Sequence, residues 1–221
     1  MNTSRIKIIR SKRKTIALVI SPDATLTVKA PIRVSLEYIE SLILKKKSWI
    51  QRKQQEILKN GGPVKNKEFK EDEDFLFLGN IYSLRIQDCK EIFLTDHLYF
   101  PRKYLKKPKE KIISWYKKEA LKILSKRMDY YSQITGWKFK SISITSAKQR
   151  WGSCSHNGSI HFTWRLVMAP IEVVDYLVVH ELAHIVEKNH SSRFWDKVKN
   201  ILPDYKVQEK WLKDNGRRLV I

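Results

Sequence analysis

Two histidines separated by three residues flank a glutamate in the run His180-Glu181-Leu182-Ala183-His184. On a helix, residues four apart stand one turn above each other on one face, so both imidazoles can present a lone pair to a single cation. Glu181 then lies beside the pair, where a carboxylate can take a proton from an attacking water without becoming a ligand. Composition alone gives such a run about 0.01 times in a chain of this length. The chemistry it points to is metal-assisted hydrolysis. Zinc is the expected metal, because three protein ligands leave it one open position.

A third ligand must come from elsewhere. Three ligands along one straight helix would span about 10 Å, too far for a coordination sphere of ~2 Å, which disfavours Glu187. His190 follows His184 by six residues, the spacing of the third histidine in HExxHxxGxxH enzymes, although Glu187 stands where those enzymes have glycine. The turn is therefore expected at Asn189, a residue tolerant of left-handed geometry, with Ser191 capping the next helix. His190 is the first candidate for third ligand and Glu209 the competing one.

The elements around this run follow from pattern. Pro170 suits the first turn of a helix running to about Lys188, with Val174, Leu177, Val178, Leu182 and Ile185 on its core side. Helices are expected at 192–201 and 206–215 and a long one from Pro108 to Ile134, stopped by Gly136. Strands at 141–145 and 159–166 read as a hairpin beside the zinc helix, whose free edge could pair with an extended peptide. Further upstream, Ile6 and Ile8, Ile16 to Ile20, and Leu26 and Val28 alternate as a β-meander around the basic turn Arg10–Lys14 and the turn 21–24. Ser35 caps one helix reaching Asn60-Gly61-Gly62-Pro63, and a polar linker runs on to Asp74. Gly79-Asn80 is the expected two-residue turn of a hairpin. The fold class is α+β, read as a β-rich portion over 1–105 and a helical metallohydrolase portion over 106–221.

Composition narrows the classes. The chain has 221 residues, 42% of them hydrophobic, with 44 Lys and Arg against 23 Asp and Glu for a net charge of +21. That much apolar and aromatic content excludes disorder over most of the chain, and no apolar run approaches the ~18 residues of a bilayer helix. Cys89 and Cys154 lie in unrelated contexts and suggest no disulfide framework; no leader is legible, so the expected location is cytoplasmic. Cys154 is read as a small packed residue in a glycine-containing turn, neither ligand nor nucleophile. The charge favours polyanions on encounter, which keeps nucleic acid among the partners, and Lys148, Arg150 and Arg165 near the hairpin could clamp phosphate oxygens. Trp151 and Trp164 are core anchors before they are stacking platforms.

Several segments together resemble the YgjP-like metal-dependent hydrolases, relatives of SprT-type and M48-type zinc metalloproteases. They are Gln149-Arg150-Trp151-Gly152-Ser153-Cys154, Trp164-Arg165-Leu166, Ala169-Pro170, Val178 to His184, and Asn189-His190-Ser191-Ser192-Arg193-Phe194-Trp195. The resemblance implies a zincin-like fold around zinc on His180, His184 and His190, with Glu181 as base. It implies a peptidase, and for some members a nucleoside triphosphate (UTP) pyrophosphatase. Three functions stand as expectations: metallopeptidase, nucleotide pyrophosphatase on the same site, and a non-catalytic nucleic-acid binder with structural zinc. Against the last stands Glu181, which a structural site does not need.

Overall fold

The computed structural model describes residues 6–21, 23–59, 62 and 67–221. The chain forms two compact units, 1–66 and 67–221. Pro22 of the expected turn, the end of the first helix at Asn60 and Gly61, and linker residues 63–66 lie outside the described residues. Among the described residues no helix is long and apolar enough to cross a membrane.

In the first unit, β1 (Ile6–Ser11), β2 (Ala17–Ile20) and β3 (Leu26–Pro31) form a sheet of order β1-β3-β2. The expected meander would have put β2 in the middle; instead β1 runs parallel to β3, which takes the centre. Apolar content explains this. β3 is the strand whose Leu26, Val28 and Ala30 are all buried, whereas Ile6, Ile8 and Ile9 of β1 remain exposed at the edge. The single helix expected after Ser35 is two, α1 (Leu36–Lys45) and α2 (Lys47–Lys59), interrupted at Lys46 within three consecutive lysines. Ser35 caps α1 as expected, accepting from the Tyr38 amide, and Ile39 and Ile50 bury in one small core with Leu26, Val28 and Ala30.

The second unit holds the remaining elements around one large core. A sheet of order β4-β5-β7-β6 joins β4 (Asp74–Phe77), β5 (Asn80–Gln87), β6 (Phe93–Leu94) and β7 (Leu98–Pro101). The β4–β5 turn is Leu78-Gly79 rather than Gly79-Asn80, since Phe77 pairs with Asn80. Both turn residues have positive φ, 48° and 80°, as a type I′ turn requires. The Leu78 amide donates to the Val167 carbonyl at 2.8 Å and the Gly79 amide to Met168 at 3.2 Å, and these tertiary bonds hold a leucine in a conformation it otherwise avoids. The long helix α3 (Pro108–Thr135) ends at Gly136 with φ 72° and buries Ile112, Trp115, Tyr116, Ala120, Leu124, Met128 and Tyr131.

β8 (Ser141–Thr145), β9 (Gly152–Cys154) and β10 (Ser159–Thr163) form a second sheet of order β8-β10-β9. The expected hairpin of 141–145 with 159–166 is a parallel pair, because the short strand β9 intervenes in sequence and takes the antiparallel place on β10. Residues 164–168 leave the strand as a 3-10 turn. Next comes α4 (Ile171–Val186), buried along most of its circumference, followed by α5 (Ser192–Ile201) and α6 (Tyr205–Asn215). Arg127 of α3 grips Asp175 of α4 with two hydrogen bonds, Nη2 to Oδ2 at 2.6 Å, a paired charge that fixes one helix on the other.

A Cβ at Gly79 would sit 2.9 Å from Pro170 Cγ and 3.0 Å from its Cα, at the entrance of α4. Gly79→Ala is therefore expected to cost about 2 kcal/mol or more, from positive φ and from overlap with backbone. Thermal melting should show a drop of several degrees; an unchanged melting temperature would mean the hairpin tip does not brace α4.

Candidate metal centre

The histidine cluster is built by two helices and the turn between them. α4 carries His180 and His184 on one face and ends at Val186. Its C-cap is Glu187, with φ −130° and ψ 106°, not Asn189. The chain thus turns away at the position where HExxHxxGxxH enzymes have glycine, but in extended backbone that any residue adopts, so glutamate is tolerated. Ser191 caps α5, its hydroxyl accepting from the Phe194 amide, and the loop between the helices swings His190 back over α4.

The result is a cluster of three imidazoles. His190 Nε2 lies 3.1 Å from His180 Nε2 and 3.2 Å from His184 Nε2. Zinc–nitrogen bonds of 2.0–2.1 Å at tetrahedral angles require separations of about 3.3 Å; these two separations are close to that, and all three ligating nitrogens lie within 4.8 Å of one another. Among the described residues this is the group of histidines, cysteines or acids able to hold a metal; Glu187, Glu209 and Cys154 do not belong to it.

Tautomer and charge suit the same task. His184 Nδ1 lies 3.0 Å from the Glu187 carbonyl; donating there leaves Nε2 as the lone pair facing its neighbours. Burial first, then repulsion from His184 and His190, pushes His180 down to about 3. Burial lowers His184 as well, against the opposing bond to Glu187. Both are then neutral at ordinary pH, the form that ligates metal.

Phe194, fully buried on α5, is the floor of the cluster. Its ring centroid is 5.0 Å from His180, 4.5 Å from His184 and 4.8 Å from His190. Trp195 stacks beside His190 at 5.7 Å and on Tyr205 of α6 at 5.2 Å. Ligand spacing did not reveal these supports, although residues four and five after His190 in a capped helix were a legible place for them.

Glu181 is 5% exposed and faces β9. A Cβ on Gly152 would lie 2.5 Å from Glu181 Oε1 and 2.7 Å from its Cγ, so the absence of a side chain is what lets the carboxylate lie against the strand. Trp151 next to it packs over Gly216, where a Cβ would come within 2.7 Å of the indole. Burial raises Glu181 to about 8, with Arg150 pulling the other way.

The remaining expected residues fall in distinct places. Lys148 and Arg150 are exposed on the β8–β9 connection, and Arg150 is the cation that acts on Glu181. Arg165 lies over the Trp164 ring at 4.4 Å and donates to the Ser146 and Ala147 carbonyls, bracing that connection. Trp164 is a fully buried core anchor. Cys154 sits in β9 rather than in a turn, half-buried, its thiol pushed up chiefly by burial.

A family model for the YgjP-like metallopeptidase domain matches residues 14–215. The chain belongs to this YgjP-like family. The family makes it a metal-dependent hydrolase. Solved structures similar to part of it include the metallopeptidase zymogen abylysin of Pyrococcus abyssi, 23% identical, covering 44% of this chain and 99% of that one with a TM-score of 0.39. The metallopeptidase zymogen jannalysin of Methanocaldococcus jannaschii is 22% identical, covering 42% and 91% at 0.34, and a Wss1 mutant of Saccharomyces cerevisiae is 17% identical, covering 42% and 83% at 0.34. No curated protein matches the chain.

Two outcomes follow. Gly152→Ala is expected to keep metal content, measured per chain by elemental analysis, while displacing Glu181 and cutting turnover about 10²-fold; full activity would show that Glu181 need not lie against β9. In metal-stripped protein, the protonated Glu181 carboxyl favours the fold at low pH, and that contribution is lost as pH rises from about 4.5 through 8. Stripped Glu181→Gln should therefore melt above stripped wild type at about pH 9 and converge with it near pH 4.5. A gap independent of pH would contradict the assignment.

Proposed function

We propose that this chain is a zinc metallopeptidase in which His180, His184 and His190 hold the metal and Glu181 is the general base. The observation that carries the reading is the convergence of three imidazole nitrogens, with His190 Nε2 at 3.1 and 3.2 Å from the other two, on a helix that also carries a buried carboxylate. When bound, zinc would polarise the scissile carbonyl and supply an activated water. Glu181 accepts a proton from the attacking water and passes it to the leaving amine, acting as base and then acid. A purely structural zinc would leave a buried carboxylate without a purpose.

The form of the site favours a peptide. β9 is an edge strand, and alternation along its antiparallel pairing with β10 turns the amides and carbonyls of Gly152 and Cys154 to the open edge. An extended peptide adding there would pass the carboxylate that Gly152 accommodates. Cleavage of a nucleoside triphosphate is the rival, and it calls for cations free to hold phosphate. Lys148 and Arg150 are exposed, but one Arg165 nitrogen is spent on the Ser146 and Ala147 carbonyls.

The test separates metal binding from proton transfer. Glu181→Gln should retain stoichiometric zinc and lose about 10²–10⁴ in turnover of a casein-type substrate, the reach of general acid–base catalysis. His190→Ala should lose zinc affinity and, with it, the stability that bound metal confers. Loss of zinc in Glu181→Gln would make Glu181 a ligand. Chelator-sensitive turnover of nucleoside triphosphates, slowed by Arg150→Ala, with none of casein, would establish the rival substrate.

A further inference from the structure

The positive charge is not shared evenly between the two units. Residues 1–66 carry 15 Lys and Arg against 4 Asp and Glu, net +11, whereas the 155 residues from 67 onward carry +10. The metal centre and its supports lie wholly in the second unit. The first unit thus holds half the excess charge in under a third of the chain.

Strand register gathers that charge. β1 runs parallel to β3 with Arg10 opposite Ala30 and Ser11 opposite Pro31, while β2 runs antiparallel with Ala17 opposite Lys29. The end of β1, the start of β2 and the end of β3 therefore share one end of the sheet. Six cations stand there: Arg10 at the end of β1, Lys12, Arg13 and Lys14 from the β1–β2 connection, and Lys29 and Arg33 from β3 and its continuation. Asp23 sits in the β2–β3 turn at the opposite end, and Glu56 of α2 pairs with Lys53 at 2.7 Å. The Glu37 carboxylate bonds its own backbone amide and Ser35, at the start of α1.

None of the six is paired with a carboxylate among the described residues. Arg10 donates to the carbonyls of Pro31 at 3.4 Å and Ile32 at 3.2 Å and to that of Val34, which pins the connection bearing Arg33. Arg13 has its Nε shielded from solvent with no acceptor. Neighbouring strands lie about 4.8 Å apart, so these side chains span a strip some 10 Å wide. Like charges held together without counter-charge repel, and a polyanion laid across them releases that repulsion along with its own condensed counterions.

We propose that this sheet end binds nucleic acid through its phosphate backbone, without sequence preference. Lysine supplies a point charge rather than a fork for base edges, which suits backbone contact. A membrane surface is the poorer fit, because Ile32, 58% exposed, is the single large apolar side chain standing out among residues 10–14 and 29–33, and bilayer insertion needs a continuous apolar face. The proposal is independent of the metal reading.

The test is titration of the full chain with a fluorescent 20-base-pair DNA duplex of mixed sequence over a series of salt concentrations. Five phosphate contacts, from Lys12, Arg13, Lys14, Lys29 and Arg33, give log K against log salt a slope of about −4.5. Lys12→Gln/Lys14→Gln/Arg33→Gln should reduce the slope by 2 to 3 and weaken binding at low salt at least tenfold, and Arg33→Gln alone should reduce it by about 1. The lysines of the α1–α2 corner serve as control, and Lys45→Gln/Lys46→Gln/Lys47→Gln should leave the slope within one unit of wild type. Absence of duplex binding at low salt, loss of binding in the corner variant but not in the sheet-end variants, or binding to phosphatidylserine vesicles without binding to duplex would each overturn the proposal.

Discussion

A helix can offer two side chains to one point but not three. Residues four apart meet on one face, and the next turn is already too far along the axis for a shared coordination sphere. The cluster of three histidines therefore depends on where α4 stops. It stops at Val186, Glu187 takes extended backbone, and the chain has three residues in which to bring His190 back over His180 and His184. The Ser191 cap fixes the start of α5, and α5 puts Phe194 beneath all three rings. A change in the length of that turn would leave two histidines on a helix and nothing to complete them.

The second dependence is on the burial of one carboxylate. Glu181 is buried where a carboxylate would ordinarily be neutral, and burial pushes it up to about 8 against the pull of Arg150. A cation held through His180, the residue before it in the chain, would favour its ionised form. Gly152 is what allows the carboxylate to lie against β9, and Trp151 over Gly216 ties that strand to the end of α6. The Trp-Gly pair is thus one device with two contacts.

Much of the site was legible before the fold. The four-residue spacing placed His180 and His184 on one face, the Ser191 cap followed from its residue type, and the buried stripe of α3 from its period. What the sequence hid was tertiary in origin. Periodicity cannot show that β3 would take the centre of its sheet, or that Leu78 would adopt positive φ because Val167 accepts its amide. β9 is three residues long, too short for alternation to register, and the closeness of Gly152 to Glu181 joins positions 29 apart in the chain. Asn189 looked like the helix stop on local preference; the stop falls two residues earlier, at Glu187 in extended backbone.

The most direct measurement is X-ray absorption at the zinc edge on the full chain loaded with one equivalent of zinc. Three imidazole nitrogens at 2.0–2.1 Å and one further light atom are the shell expected of a catalytic site built from His180, His184 and His190. A sulfur at about 2.3 Å, or a fourth protein ligand closing the site, would contradict the account.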